Sequence, residues 1–212
     1  EIVSAERIRD ELDKLMVVDH PSPGLWFLIE TGLADQFFPE LPAMRLEHDP
    51  IHRHKDVLTH SLAVVENVRP LSENPAIVSG ERPEFDFRLT RLAALFHDIG
   101  KGYPGDHTVV GVDLLTTIAV RMGYDVDDVD LLVAMVEHHL LLPDVATRRD
   151  LDDDGTIRQV ADAVGGTVLL GLLGALTEAD SIATGPSAWS NWKAGLVREL
   201  VERTSHVLGG GD

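Results

Sequence analysis

Two adjacent residues, His97 and Asp98, end the apolar run 92–99 and are followed by Gly100 and Lys101. Neutral imidazole and carboxylate both suit divalent cations, and two neighbours at a helix end can turn toward one ion. A bare helix C-terminus reads in the same letters, with Gly100 as a left-handed cap and Lys101 near the negative end of the dipole. The other histidines bear on the choice. Eight of the ten fall between His48 and His139. His60 lies mid-helix among residues that pattern as core, His107 opens the helix after Asp106, and His138 and His139 end the apolar segment 131–142. Asp180 shares a helical face with Leu169, Leu173 and Leu176, which predicts burial. A buried carboxylate needs a partner, and a set of inward polar groups on several apolar helices predicts one shared cation site. His48, His52 and His54 fall in a polar connection and read as loop residues near the site mouth, while His20 and His206 read as surface.

The elements that must carry these residues are all helical, so the fold class is all-α. Apolar periodicity and capping residues predict helices over 5–17, 55–68, 87–99, 107–122, 126–142, 156–164, 168–183 and 188–208. Short turns around 25–29 are broken by Pro and Gly. The acidic runs 125–128 and 150–154 sit at helix starts and read as solvated caps, since neither has the spacing of a calcium loop.

Composition narrows the chemistry. With no cysteine, disulfides, thiolate metal sites and cysteine nucleophiles are excluded, and any metal falls to His, Asp or Glu. Thirty-six acidic against 18 basic residues give a formal charge of −18, which disfavours a nucleic-acid partner. No apolar run is read as a membrane span and no signal peptide opens the chain, so a cytoplasmic location without membrane association is expected. The first residue, Glu1, and the glycine-rich end read as an excised segment.

The order His60, His97–Asp98, His107, His139, Asp180 resembles the HD-domain metal-dependent phosphohydrolase superfamily. That resemblance implies an HD helical bundle over 51–212 with an N-terminal helical neck over 1–50. It implies His60, His97, Asp98 and Asp180 around a first metal, with His107 and His139 completing a second site and His138 as an alternative or supporting ligand. Asp98 would bridge the ions, Lys101 would face the substrate phosphate, and Arg148 or Arg149 would help bind it. A metal-activated water would then hydrolyse a phosphodiester. One or two divalent ions are expected, of manganese, iron, zinc, nickel or magnesium.

Residues 102–111, 137–150 and 176–186, with Trp189, Asn191, Trp192 and Lys193, closely resemble the HD domain of the bifunctional PII uridylyltransferase/uridylyl-removing enzyme. This implies hydrolysis of a nucleotidyl-tyrosine diester on a PII-type signalling protein, releasing UMP or AMP. Residues 2–12, 39–42 and 52–62 instead resemble the neck and HD start of bacterial tRNA nucleotidyltransferases of the CCA-adding or poly(A) polymerase family. The two resemblances meet near 92–102, which is compatible with a chimera joined there or with one homologue that keeps both signatures. The Gly-Ser and paired-aspartate motifs of a nucleotidyltransferase domain are not found in these residues, so nucleotide transfer is not expected. The alternative to hydrolysis is a non-catalytic helical module of a tRNA nucleotidyltransferase, or a chimeric HD fold without activity.

Overall fold

The computed structural model describes residues 3–46, 56–68 and 83–210, with only the backbone for 83–86. His48, His52 and His54 lie outside the described residues. Every described element is α-helical: α1 (Ala5–Met16), α2 (Ser22–Glu30), α3 (Ala34–Phe37), α4 (Glu40–Ala43), α5 (Val57–Asn67), α6 (Pro83–Phe96), α7 (His107–Met122), α8 (Val126–Glu137), α9 (Leu141–Arg148), α10 (Asp154–Val164), α11 (Thr167–Thr184) and α12 (Asn191–Leu208).

Local chemistry sets these bounds. Asp56 caps α5 by accepting the Thr59 N–H at 3.0 Å, and Asp106 caps α7 by accepting those of Thr108 and Val109. Gly123, at φ 74°, closes α7 in the left-handed conformation. The predicted helix 126–142 divides in two. Pro143 has no N–H to continue an α-helical ladder, and a turn from the Leu141 N–H to His138 O, 2.9 Å, separates α8 from α9.

Helix α11 is the axis of the fold. It packs against α5, α6, α8, α9, α10 and α12, and Leu170, Leu172 and Leu173 on it are fully buried. Burying a leucine completely contributes about 1.5–3 kcal/mol, so this helix dominates the core. By length and composition alone α11 could cross a membrane, contrary to the sequence expectation that no run approaches a span. Its burial under six neighbours is the behaviour of a core helix.

The N-terminal helices are tied to this bundle by two arginines of α6. Arg91, buried, donates to the carbonyl oxygens of Met16 (2.8 Å), Val18 and Asp19 (3.3 Å), which satisfies the open C-terminus of α1. Arg88 pairs with Asp13 of α1 and with Asp128 of α8, the latter at 2.7 Å. The Tyr124 hydroxyl also donates to Asp13, at 2.7 Å. Asp128 is therefore a buried ion-pair partner and not the solvated cap the acidic run suggested; Asp125 is the cap.

Candidate metal centre

Two of the site histidines, His97 and His139, are positioned by the ends of the helices they follow. His97 follows α6 directly and donates Nδ1–H back to Ala94 O at 2.8 Å; His139 follows α8 and donates Nδ1–H to Val136 O at 2.7 Å. In both cases the ring occupies a carbonyl that the helix end leaves open, and the bond fixes which nitrogen carries the proton. The Nε2 atoms of both rings are turned inward, fully buried, and form no hydrogen bond. His97 Nε2 is 3.3 Å from Asp98 Oδ2 without the alignment of a hydrogen bond, and His139 Nε2 is 3.9 Å from Asp98 Oδ1. Asp98 thus presents one oxygen to each histidine.

The remaining expected residues gather around this pair. His60, from the middle of α5, meets Asp180 of α11 at 2.9 Å and lies 3.8 Å from Asp98 Oδ2. Asp180 Oδ1 is 3.8 Å from His97 Nε2. Ligand atoms of His60, His97 and Asp98 lie within 4.8 Å of one another, as do those of Asp98, His107 and His139. Asp98 belongs to both groups. Lys101 places its ammonium 2.6 Å from Asp98 Oδ2, where it neutralises the carboxylate.

Other expectations fall outside the cluster. His138 is half-buried and belongs to neither group. Arg148 is exposed and pairs with Asp144 at 3.5 Å, one helical turn back; Arg149 is exposed as well. His20 and His206 are surface residues, as expected, His20 lying 3.1 Å from Glu66.

Three supporting residues were not anticipated. Thr184 donates to Asp180 Oδ1 at 3.4 Å, and Asn67 donates to Ala179 O at 3.2 Å, joining α5 to α11 beside Asp180. Their spacing gives a signal in hindsight: Thr184 is one turn after Asp180, and Asn67 is two turns after His60. Gly100 is the third. It does not adopt the left-handed cap conformation; a methyl group on it would lie 2.0 Å from His107 O. The glycine is needed because the turn after Asp98 presses directly on the first turn of α7.

Electrostatics describe a centre short of positive charge. Burial opposes ionisation of Asp98, yet His97 and Lys101 hold its carboxyl well below the usual range. Burial likewise disfavours charging His97, but Asp98 and Asp180 outweigh it and push the imidazole up to about 9. Burial and the neighbouring His97 push His139 down to about 4. Two carboxylates, clustered imidazoles and no thiolate, with two buried ring nitrogens lacking partners, form a donor set that fits a divalent cation.

Residues 57–166, just over half of the chain, match the HD domain family, and residues 1–44 match the "Probable RNA and SrmB-binding site of polymerase A". The chain is 42% identical over 210 residues to the bifunctional uridylyltransferase/uridylyl-removing enzyme of Streptomyces coelicolor, covering 95% of this chain and 23% of that protein. It is 42% identical over 208 residues to the enzyme of the same name from Mycobacterium tuberculosis, covering 95% and 25% respectively. For Gluconobacter oxydans the identity is 38% over 195 residues, covering 87% and 20%. The chain therefore spans about a quarter or less of the length of these relatives. The alignment to one relative runs through both halves, so two parents are not required to explain the mixed signatures. With the family match over 57–166 and the His–Asp centre on α5, α6, α7, α8 and α11, the chain belongs to the HD domain family.

Proposed function

We propose that the chain is a metal-dependent phosphohydrolase that cleaves a nucleotidyl phosphodiester, of the uridylyl- or adenylyl-protein type borne by a PII-like signalling protein, in the cytoplasm. The observation that carries this reading is the pair of buried, unpartnered Nε2 atoms of His97 and His139 on opposite oxygens of Asp98. The names of the relatives, which include a uridylyl-removing activity, support the choice of substrate.

His60, His97, Asp98 and Asp180 would hold one divalent ion, and Asp98, His107 and His139 a second. Bound there, such ions lower the pKa of a coordinated water and neutralise phosphoryl oxygens. The chain's own residues prepare that chemistry. Ala94 O and Val136 O keep the Nδ1 protons of His97 and His139, leaving Nε2 for coordination. Lys101 balances Asp98 and can turn the same ammonium to a phosphoryl oxygen, where positive charge stabilises the transition state. The segment 1–50 is read as a neck and 51–212 as the hydrolytic unit, packed together through Arg88 and Arg91.

Metal analysis and turnover test the reading together. One or two metals per chain are expected, with hydrolysis of bis-p-nitrophenyl phosphate in manganese, cobalt, nickel or magnesium and of a uridylylated or adenylylated PII-type protein. No turnover with any of these metals would overturn it.

The match of residues 1–44 favours a second reading, a non-catalytic module that positions RNA. Charge weighs against it. Residues 1–44 carry nine acidic against three basic side chains, and two of the three, Arg9 and Lys14, pair with a nearby carboxylate, which leaves little positive charge for a phosphate backbone. A metal content of zero would favour this alternative.

A further inference from the structure

The second candidate metal group draws one residue from each of three helices: Asp98 comes just after α6, His107 opens α7 and His139 comes just after α8. The opposite ends of the same three helices meet again in a polar cluster. Arg88 of α6 directs one arm of its guanidinium to Asp128 of α8, at 2.7 Å, and the other to Asp13 of α1. Asp13 also accepts the Tyr124 hydroxyl at 2.7 Å, and the Tyr124 N–H donates to Ala119 O at 3.1 Å, which keeps that residue on the last turn of α7. The Tyr124 ring centre lies 5.9 Å from the Arg88 guanidinium. None of these residues belongs to either metal group.

Two meeting points on one pair of helices fix how the pair lies. Arg88 precedes His97 by nine residues and Asp128 precedes His139 by eleven, about 14 and 17 Å at the helical rise. Helices α6 and α8 meet at both points in the same order, so they run parallel, while α7 runs the opposite way from His107 to Tyr124. The span includes buried Leu92, Leu95, Leu132 and Met135. Apolar contact is non-directional and sets axial register weakly. A guanidinium fork between two carboxylates is directional, and here the Arg88 and Asp128 side chains are only 13% and 6% exposed, so slippage would strand a charge. A slip of one residue moves a helix by about 1.5 Å, whereas a metal–ligand distance tolerates about 0.2 Å.

We propose that Arg88 is a positioning residue: by tying α6, α7 and α8 at their far ends it sets the register that brings Asp98, His107 and His139 to one ion. The proposal rests on the metal-centre reading above. The group of His60, His97 and Asp98 shares only α6 with the cluster, so its ion does not depend on that register.

Stepwise manganese binding to the full chain, followed by calorimetry, tests this. Asp128→Ala is expected to raise the dissociation constant of the second ion about tenfold and leave the first unaltered. Asp128→Asn, whose side-chain carbonyl still accepts from Arg88, should restore the second ion. Arg91→Leu, which loosens α1 but keeps the Arg88–Asp128 pair, should retain both. Unaltered constants in Asp128→Ala, equal weakening of both ions, or loss of the second ion in Arg91→Leu overturns the role. If circular dichroism shows Asp128→Ala unfolded, Arg88→Lys replaces it under the same criteria, since one ammonium lacks the fork that holds both carboxylates.

Hydrogen exchange of the metal-free chain reads the register without an ion. The Lys101 N–H bonded to Asp98 O and the Leu141 N–H bonded to His138 O report the site end, and amides of α11 report global opening. In the same variant the two site amides should exchange about tenfold faster relative to α11. An equal change throughout overturns the proposal. Should the unaltered chain bind no manganese, the metal reading fails while exchange still decides the role of Arg88.

Discussion

Replacing Gly100 by alanine should remove one candidate metal group and spare the other. An added methyl would sit 2.0 Å from His107 O, 2.9 Å from the same carbonyl carbon and 2.7 Å from Gly111 N. All three are backbone atoms, which cannot rotate aside as a side chain can. Since Cβ atoms essentially never approach another heavy atom closer than 3.0 Å, the turn and α7 must separate by at least 1.0 Å along the closest contact. The loop 101–106 gives slack on the α7 side, whereas His97 is anchored to Ala94 and Asp98 to Lys101. His107 is therefore the residue that moves. Metal–ligand distances tolerate only about 0.2 Å, so a shift of this size is roughly five times too large for the group of Asp98, His107 and His139. The group of His60, His97 and Asp98 does not use His107. Equilibrium dialysis with manganese, followed by elemental analysis, is expected to fall from about two ions per chain to about one. Gly111→Ala is the control on the facing surface: its methyl would meet Val136 Cγ1 at 3.4 Å, an ordinary contact, and both ions should be retained. Two ions bound at unchanged affinity by Gly100→Ala would refute the steric argument.

Further outcomes follow from the same geometry. His139→Ala should leave one ion per chain, and Asp98→Asn, which alters the ligand common to both groups, should lower occupancy of both; elemental analysis decides, and independent loss of each ion in Asp98→Asn would remove its bridging role. In metal-free protein His97 is raised from 6.5 to about 9, so its stabilising contribution is complete below pH 6.5 and is lost as pH rises through 9. His139 is lowered from 6.5 to about 4, so its contribution is present above pH 6.5 and is lost as pH falls through 4. Thermal melts of chelator-treated protein should therefore peak near pH 6.5. Bound metal should abolish the alkaline decline, because coordination requires neutral His97. Arg91→Leu, which strands the carbonyls ending α1, should cost about 3 kcal/mol and lower the melting midpoint by roughly 6–12 °C, measured by circular dichroism. A loss below about 1 kcal/mol would mean that Arg91 does not secure α1.

Much of the centre was legible because its residues break a local pattern. His60, His97, His139 and Asp180 are polar groups in otherwise apolar helical segments, and such groups have to point at something. Helix α7 was legible to the residue, since Asp106 and Gly123 are strong stop signals at its two ends. The break at 138–140 was not, because apolar periodicity runs on through Leu140, Leu141 and Leu142 while the interruption comes from Pro143 and from the His139 ring taking Val136 O. The role of Gly100 was hidden for a different reason. A cap and a close approach both call for glycine, and only the position of α7 distinguishes them. Asp128 depended on Arg88, 40 residues away, a pairing that no local rule contains.

The arginine that closes the end of α1 has a consequence for where this protein can be cut. The HD family match begins at residue 57, which invites a shorter version lacking everything before it. Such a truncation would remove the carbonyls of Met16, Val18 and Asp19 and leave Arg91 with a buried charge six residues before His97 on the same chain segment. The smallest autonomous piece is thus longer than the recognisable domain, and α1 has to travel with it.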